Sequence, residues 1–247
     1  MQVTTIDEVI EQLDVIIGNC KKQSSRLGYF ACLYRKMTIA VKQGIANHLF
    51  EDGPRMEKLD VIFADRYLAA YDAFTNNQPA TQAWQATFEA AAKNDYIVLQ
   101  HLILGINAHI NLDLGIAAAE VCAGKNINVL QNDFEKINDI ISNLTNSMKK
   151  DLAEICFPVR FLNDIKEEKV VINFSIAAAR KAAWTNAVVL SVMDSTQQII
   201  HIQTIDLQVL KLAKGVLKPG NFINLFLKIV GFFESSNVIK NINYLYD

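Results

Sequence analysis

The chain has little of what breaks or staples a fold. Its 247 residues include only 10 glycines and 4 prolines. Punctuation this sparse excludes a protein built from many short strands and tight turns. The four cysteines, Cys20, Cys32, Cys122 and Cys156, lie far apart and form no CxxC pair. Neither a cysteine-type zinc site nor a disulfide framework is expected. Each thiol sits in an apolar helical pattern and reads as a small buried hydrophobe.

Charge of one sign is also missing. The 24 basic and 26 acidic residues leave a net charge of −2, and no lysine- or arginine-rich block occurs. Phosphate binding needs a basic patch, so a nucleic-acid partner is not expected. The chain opens Met1-Gln2-Val3-Thr4-Thr5, with Asp7 and Glu8 close behind. A basic segment followed by an apolar run is absent there, so no secretory signal and a cytoplasmic location are expected. The apolar runs Val188–Met193 and Phe222–Phe233, the second interrupted by Asn224 and Lys228, fall short of the roughly 20 residues that span a membrane. Several catalytic signatures are absent as well: GxSxG, GxxxxGK[ST], GxGxxG and HExxH. So are the DDxxD run and the ExxH pairs of carboxylate-bridged di-iron bundles.

What remains is strongly helical. Hydrophobic residues make up 51% of the chain, enough for a large core. The 3.6-residue period runs throughout. It predicts helices over Thr5–Cys20, with Glu8 placed for a capping box, then Leu27–His48 and Arg55–Thr75. Pro79 opens a fourth helix that ends near Asn94. Asn94-Asp95 caps a central helix reaching Cys122, and Asn132-Asp133 caps another from Phe134 to Ile155. A short element from Pro158 ends at Lys166–Lys169. Helices over Val170–Met193 and from Asp194 to Leu217 follow, and Pro219-Gly220 precedes an apolar C-terminal helix. Short connections and the lack of Pro/Gly/Ser-rich linkers predict one all-α domain over residues 1–247. It would be a single multi-helix bundle of nine or ten helices around a central buried helix.

The central segment His101-Leu102-Ile103-Leu104-Gly105-Ile106-Asn107-Ala108-His109-Ile110-Asn111-Leu112-Asp113-Leu114 is apolar all round, as a core helix is. It nevertheless carries two histidines, two asparagines and an aspartate. Buried polar groups cost several kcal/mol unless satisfied, so these are paired or face a cavity. At about 100° per residue, His101, Gly105, His109, Asp113 and Glu120 share one winding stripe, with Asn107 and Asn111 roughly opposite. His109 and Asp113 have the spacing of two metal ligands on a helix, or of a carboxylate that orients a catalytic imidazole. A purely structural hydrogen-bond network fits the same spacing.

Other elements supply further candidates. His48 ends the face of Phe30, Tyr34, Met37 and Val41, and could approach the same pocket or answer its helix C-terminus. Asn173, Arg180, Trp184, Ser191 and Asp194 fall within about 40° of one direction on the Val170–Met193 helix. Arg180 needs a carboxylate there, with Asp113 and Glu120 as the candidates, or it clamps an anion or carbonyl. Trp184 would wall the pocket, and Arg66 in Asp65-Arg66-Tyr67 would stand at its rim. The C-terminal helix could be core, a lid or the face of a homodimer.

The motif Gly105-Ile-Asn-Ala-His-Ile-Asn-Leu-Asp-Leu114, with Phe63–Leu68 and Ala179–Trp184, resembles a family of bacterial helical proteins known only as a domain of unknown function. The similarity runs from about residue 25 to 215. It implies a single helical domain and points to Asn107, His109, Asp113, Arg180 and Trp184, but it brings no activity.

From the residues, the leading expectation is an enzyme acting on a small, largely apolar, lipid-like or polyketide-like molecule by cyclisation, isomerisation or hydrolysis. His109, Asp113 and Arg180 would be the catalytic residues. His101, Asn107, Asn111, Trp184, Arg66, His48 and Glu120 would bind substrate. No cofactor is evident. A divalent metal on His109 and Asp113, as in a metal-dependent hydrolase, is one alternative, and a non-catalytic carrier of an apolar ligand is the other.

Overall fold

The first helix starts where its capping signal stands. In the computed structural model, which describes residues 3–155 and 176–247, the Thr5 hydroxyl accepts from the Glu8 amide and the Glu8 carboxylate accepts from the Thr5 amide. This closed box satisfies two otherwise orphaned donors and begins α1 (Ile6–Gln23). Next come α2 (Leu27–Ala46), α3 (Gly53–Thr75), α4 (Gln82–Ala91), α5 (Val98–Val121) and α6 (Gln131–Ile155). The chain closes with α7 (Ile176–Ser191), α8 (Ser195–Leu217), α9 (Asn221–Phe233) and α10 (Val238–Tyr246). The result is the all-α bundle that the period predicts.

The bundle is organised by α5. This helix is long and apolar enough to cross a membrane, but 83% of its most apolar window is buried among its neighbours. Helices α2, α3, α4, α7 and α8 all pack on it. Two glycines permit the closest approaches. A Cβ on Gly105 would strike the Phe30 ring of α2, and one on Gly115 would lie 2.7 Å from the Ala183 carbonyl oxygen of α7. The gap beside Gly105 therefore holds an aromatic ring from the same chain.

Two expected caps work differently. Asn94-Asp95 does not start α5. That helix begins at Val98, whose amide donates to both Glu234 carboxylate oxygens at 3.0 Å from just beyond α9. Asp133 does not cap its own helix either, because a 3-10 turn, Ile127–Leu130, runs straight into α6. The Asp133 carboxylate instead accepts from the Glu51 and Asp52 amides at 2.7 and 3.0 Å, and from Arg55 Nη2 at 2.9 Å. A fully buried carboxylate is better satisfied by two amides and a guanidinium than by one helix start.

Cys20, Cys32 and Cys122 are free and buried, as read. Cys156, the element from Pro158, Asn173 and the start of the Val170–Met193 helix lie outside the described residues. Helix α9 buries Leu227 and Val230 against Ile97 and leaves Leu225, Ile229, Phe232 and Phe233 exposed.

Candidate functional site

From His109 to Leu114, α5 widens into a π-helical turn. Such turns carry i→i+5 bonds and recur at functional positions. Each residue here advances the helix less than in an α-turn, so side chains beyond it lag behind a straight 100° count. That accounts for Glu120, which is expected on the His109 stripe but is exposed.

Asp113 is the hub of the site. Its Oδ1 accepts from Arg66 Nε of α3 at 2.9 Å, and its Oδ2 accepts from Trp84 Nε1 of α4 at 2.8 Å. His109 Nδ1 lies 3.4 Å from the same Oδ2. Three helices are thus tied through one carboxylate that is itself 1% exposed. An ionised carboxylate only accepts, so this contact requires the proton on Nδ1. Burial lowers the His109 pKa; Asp113 opposes that and the Arg66 charge adds to it. The ring is therefore neutral near pH 7, protonated on Nδ1, with its lone pair on Nε2. Nε2 is buried and has no hydrogen-bond partner among the described residues.

Aromatic rings fix the imidazole. It stacks on Phe63 with 3.5 Å between centroids, and the Tyr34 ring meets it edge-on at 4.3 Å. Beside it opens a cavity of about 440 Å³, walled by α2, α3, α5, α6 and α7. That volume is within the range of small-molecule sites. Among the described residues the lining is aliphatic and aromatic except for Tyr34, Asp60, His109 and Arg180. Tyr34 Oη and Asp60 Oδ2 have no hydrogen-bond partner among the described residues. Burial, with the Glu57 charge adding to it, pushes the Asp60 carboxyl up to about 7. Near neutral pH the wall therefore offers a neutral imidazole that can take a proton and a carboxyl that can give one.

The remaining candidates are scattered. Arg180 faces the cavity but pairs with neither Asp113 nor Glu120. Its Nε donates to Asn138 Oδ1 at 2.7 Å, its Nη2 donates to the Phe134 carbonyl, and its guanidinium lies over the Phe134 ring. Asp113 is already saturated by Arg66, Trp84 and His109, which is why that pairing fails. Trp184 packs on Phe134 away from the cavity lining. Asn107 donates to the Val209 carbonyl and accepts from Asn111, so this pair clasps α8. His101 is buried between Tyr29 and Tyr96, where burial and the Arg26 charge hold it down to about 4 while the Tyr96 backbone opposes them. His48 is exposed beyond the end of α2 in a left-handed conformation, φ 54°, and stays out of the pocket.

Sequence reasoning missed Asp60 and Trp84. A buried indole N–H needs an acceptor, and few carboxylates sit in apolar surroundings here. That signal could have tied Trp84 to Asp113. Asp60 shares a face with Phe63 and Tyr67 at i+3 and i+7, which the dense charges around it disguise.

The metal alternative finds little support in this geometry. Both Asp113 oxygens are taken by N–H donors, and no group of three or more His, Cys, Asp or Glu residues converges among the described residues.

The fold and site define an all-helical protein with a buried Asp–His pair beside an apolar cavity. The chain belongs to DUF5995, a family of unknown function, whose model matches residues 6–219. No curated protein and no solved structure matches it.

Proposed function

We propose that this protein is an enzyme that acts by acid–base chemistry on a small, largely apolar molecule held in the cavity. The observation that carries this reading is the His109 Nε2, without a hydrogen-bond partner among the described residues and backed through Nδ1 by a carboxylate that two other donors hold in place. Orienting an imidazole this way fixes its tautomer and steadies the charge it gains on taking a proton. His109 acts as the base. Asp60 lines the same cavity and acts as the acid that returns a proton. Cyclisation or isomerisation of a lipid-like or polyketide-like substrate needs those two roles. Hydrolysis would need a water as well.

A probe with one acidic C–H tests this without knowledge of the natural substrate. 5-Nitrobenzisoxazole loses its C3 proton to a base, its N–O bond opens, and a coloured nitrile phenolate is released. The reading predicts acceleration beyond that of free imidazole, lost in His109→Ala and kept in His101→Ala. Equal rates for His109→Ala and the unaltered protein would contradict it.

The rival is a non-catalytic carrier, favoured by the almost wholly apolar lining. A carrier would bind the probe and leave it intact. Homodimerisation through α9 rests on its exposed Leu225, Ile229, Phe232 and Phe233, and sedimentation at rising concentration tests it.

A further inference from the structure

Arg180 is 5% exposed, yet its two polar contacts among the described residues are neutral: the Asn138 side chain and the Phe134 carbonyl. No carboxylate lies within ion-pair distance of it among those residues. A guanidinium cannot shed its proton to escape burial, so an unpaired one carries a large desolvation cost. Of its five N–H donors, two are engaged by partners among the described residues. The group borders the cavity, whose other polar walls among the described residues are the neutral His109, the phenol of Tyr34 and the Asp60 carboxyl. A neutral molecule in the cavity would add no charge to balance that cation, and the described residues bring no carboxylate to it.

We propose that the cavity's ligand is an amphiphilic anion, an apolar chain or ring bearing one carboxylate, with the carboxylate seated on Arg180 and the body along the apolar walls. A guanidinium fork matches a carboxylate in shape and charge-assisted hydrogen bonding. One cation balances one negative charge. A phosphate monoester brings about −1.5 to −2 at neutral pH and would meet no second cation among the described residues of this lining. This inference rests on the cavity being a ligand site, as the acid–base reading also requires.

Calorimetric titration of the full chain with decanoate, decanol and decylammonium separates the two ideas. The three share one apolar body and differ in the head. The expected result is decanoate binding about tenfold or more tighter than decanol, and no binding of decylammonium. Decanol should displace decanoate, and Arg180→Gln should weaken decanoate by about tenfold while leaving decanol unchanged. Decanol binding as tightly as decanoate would overturn the anion assignment and leave the cavity reading standing. Failure of both to bind would overturn both. The comparison on the unaltered protein needs no variant, so it decides the question even if Arg180→Gln does not fold.

Discussion

The His109 imidazole lies flat on the Phe63 ring, with centroids 3.5 Å apart and planes 7° from parallel. A flat stack of this kind suits a neutral ring, and it leaves the ring edge, where the nitrogens sit, free for polar contacts. Phe63→Leu keeps an apolar wall and removes the stack. The expected cost is about 0.5–1.5 kcal/mol in urea denaturation, the usual worth of an aromatic pair. Activity toward the benzisoxazole probe should fall more than stability does, because the base loses its fixed direction.

Asp113 bears the heaviest structural demand. Asp113→Ala would strand the Trp84 indole N–H and the Arg66 guanidinium together, and its expected cost is about 3–5 kcal/mol. Asp113→Asn keeps the shape and one acceptor, so it should cost less, on the order of 1–3 kcal/mol. Chemical denaturation of the two variants side by side checks the order. Equal, small losses would show that the three donors have other acceptors.

Asp60 sets a pH dependence. Its carboxyl is raised to about 7, so between the ordinary Asp value near 4 and that point the folded protein holds a proton the unfolded chain has released. Folding then takes up a proton, and stability falls as pH rises through that window. His109 acts the other way: its lowered pKa makes acid destabilising below about 6.5. The clean measurement is therefore a difference. Asp60→Asn should gain stability relative to the unaltered protein as pH rises from about 4 to about 7, by up to about 1.4 kcal/mol per pH unit. A difference that stays flat across the window would refute this assignment.

Gly105 is a packing constraint. Gly105→Ala drives a methyl group into the Phe30 ring, which itself packs edge-on against Tyr67 and His109. Ordinarily alanine favours a helix interior by about 1 kcal/mol over glycine. Here overpacking should reverse the sign, with a net loss of about 1–2 kcal/mol by thermal or chemical unfolding.

How far the residues alone reveal this arrangement depends on the range of each interaction. The helices, the Thr5 capping box and the His109–Asp113 pair are local, and their spacing is visible in the chain. The π turn at His109–Leu114 has no residue signature, so the straight count carried Glu120 to the wrong side. Arg180 reads as a buried cation that needs a carboxylate, but neither Asp113 nor Glu120 reaches it; the described residues give it a carbonyl, an amide and an aromatic face, all neutral. Trp84 meets Asp113 across 29 positions, and no local pattern announces a contact of that length.

The most direct test of the central claim is the ring of His109 itself. Long-range ¹H–¹⁵N spectra of the full chain report which nitrogen carries the proton and at what pH the second one binds. The expected result is a neutral ring protonated on Nδ1 at pH 7, because burial holds the imidazole below the ordinary histidine range. The His109 Nε2 signal should also move when decanoate fills the cavity. A proton on Nε2 with Nδ1 bare, or an imidazolium at pH 7, would contradict this account.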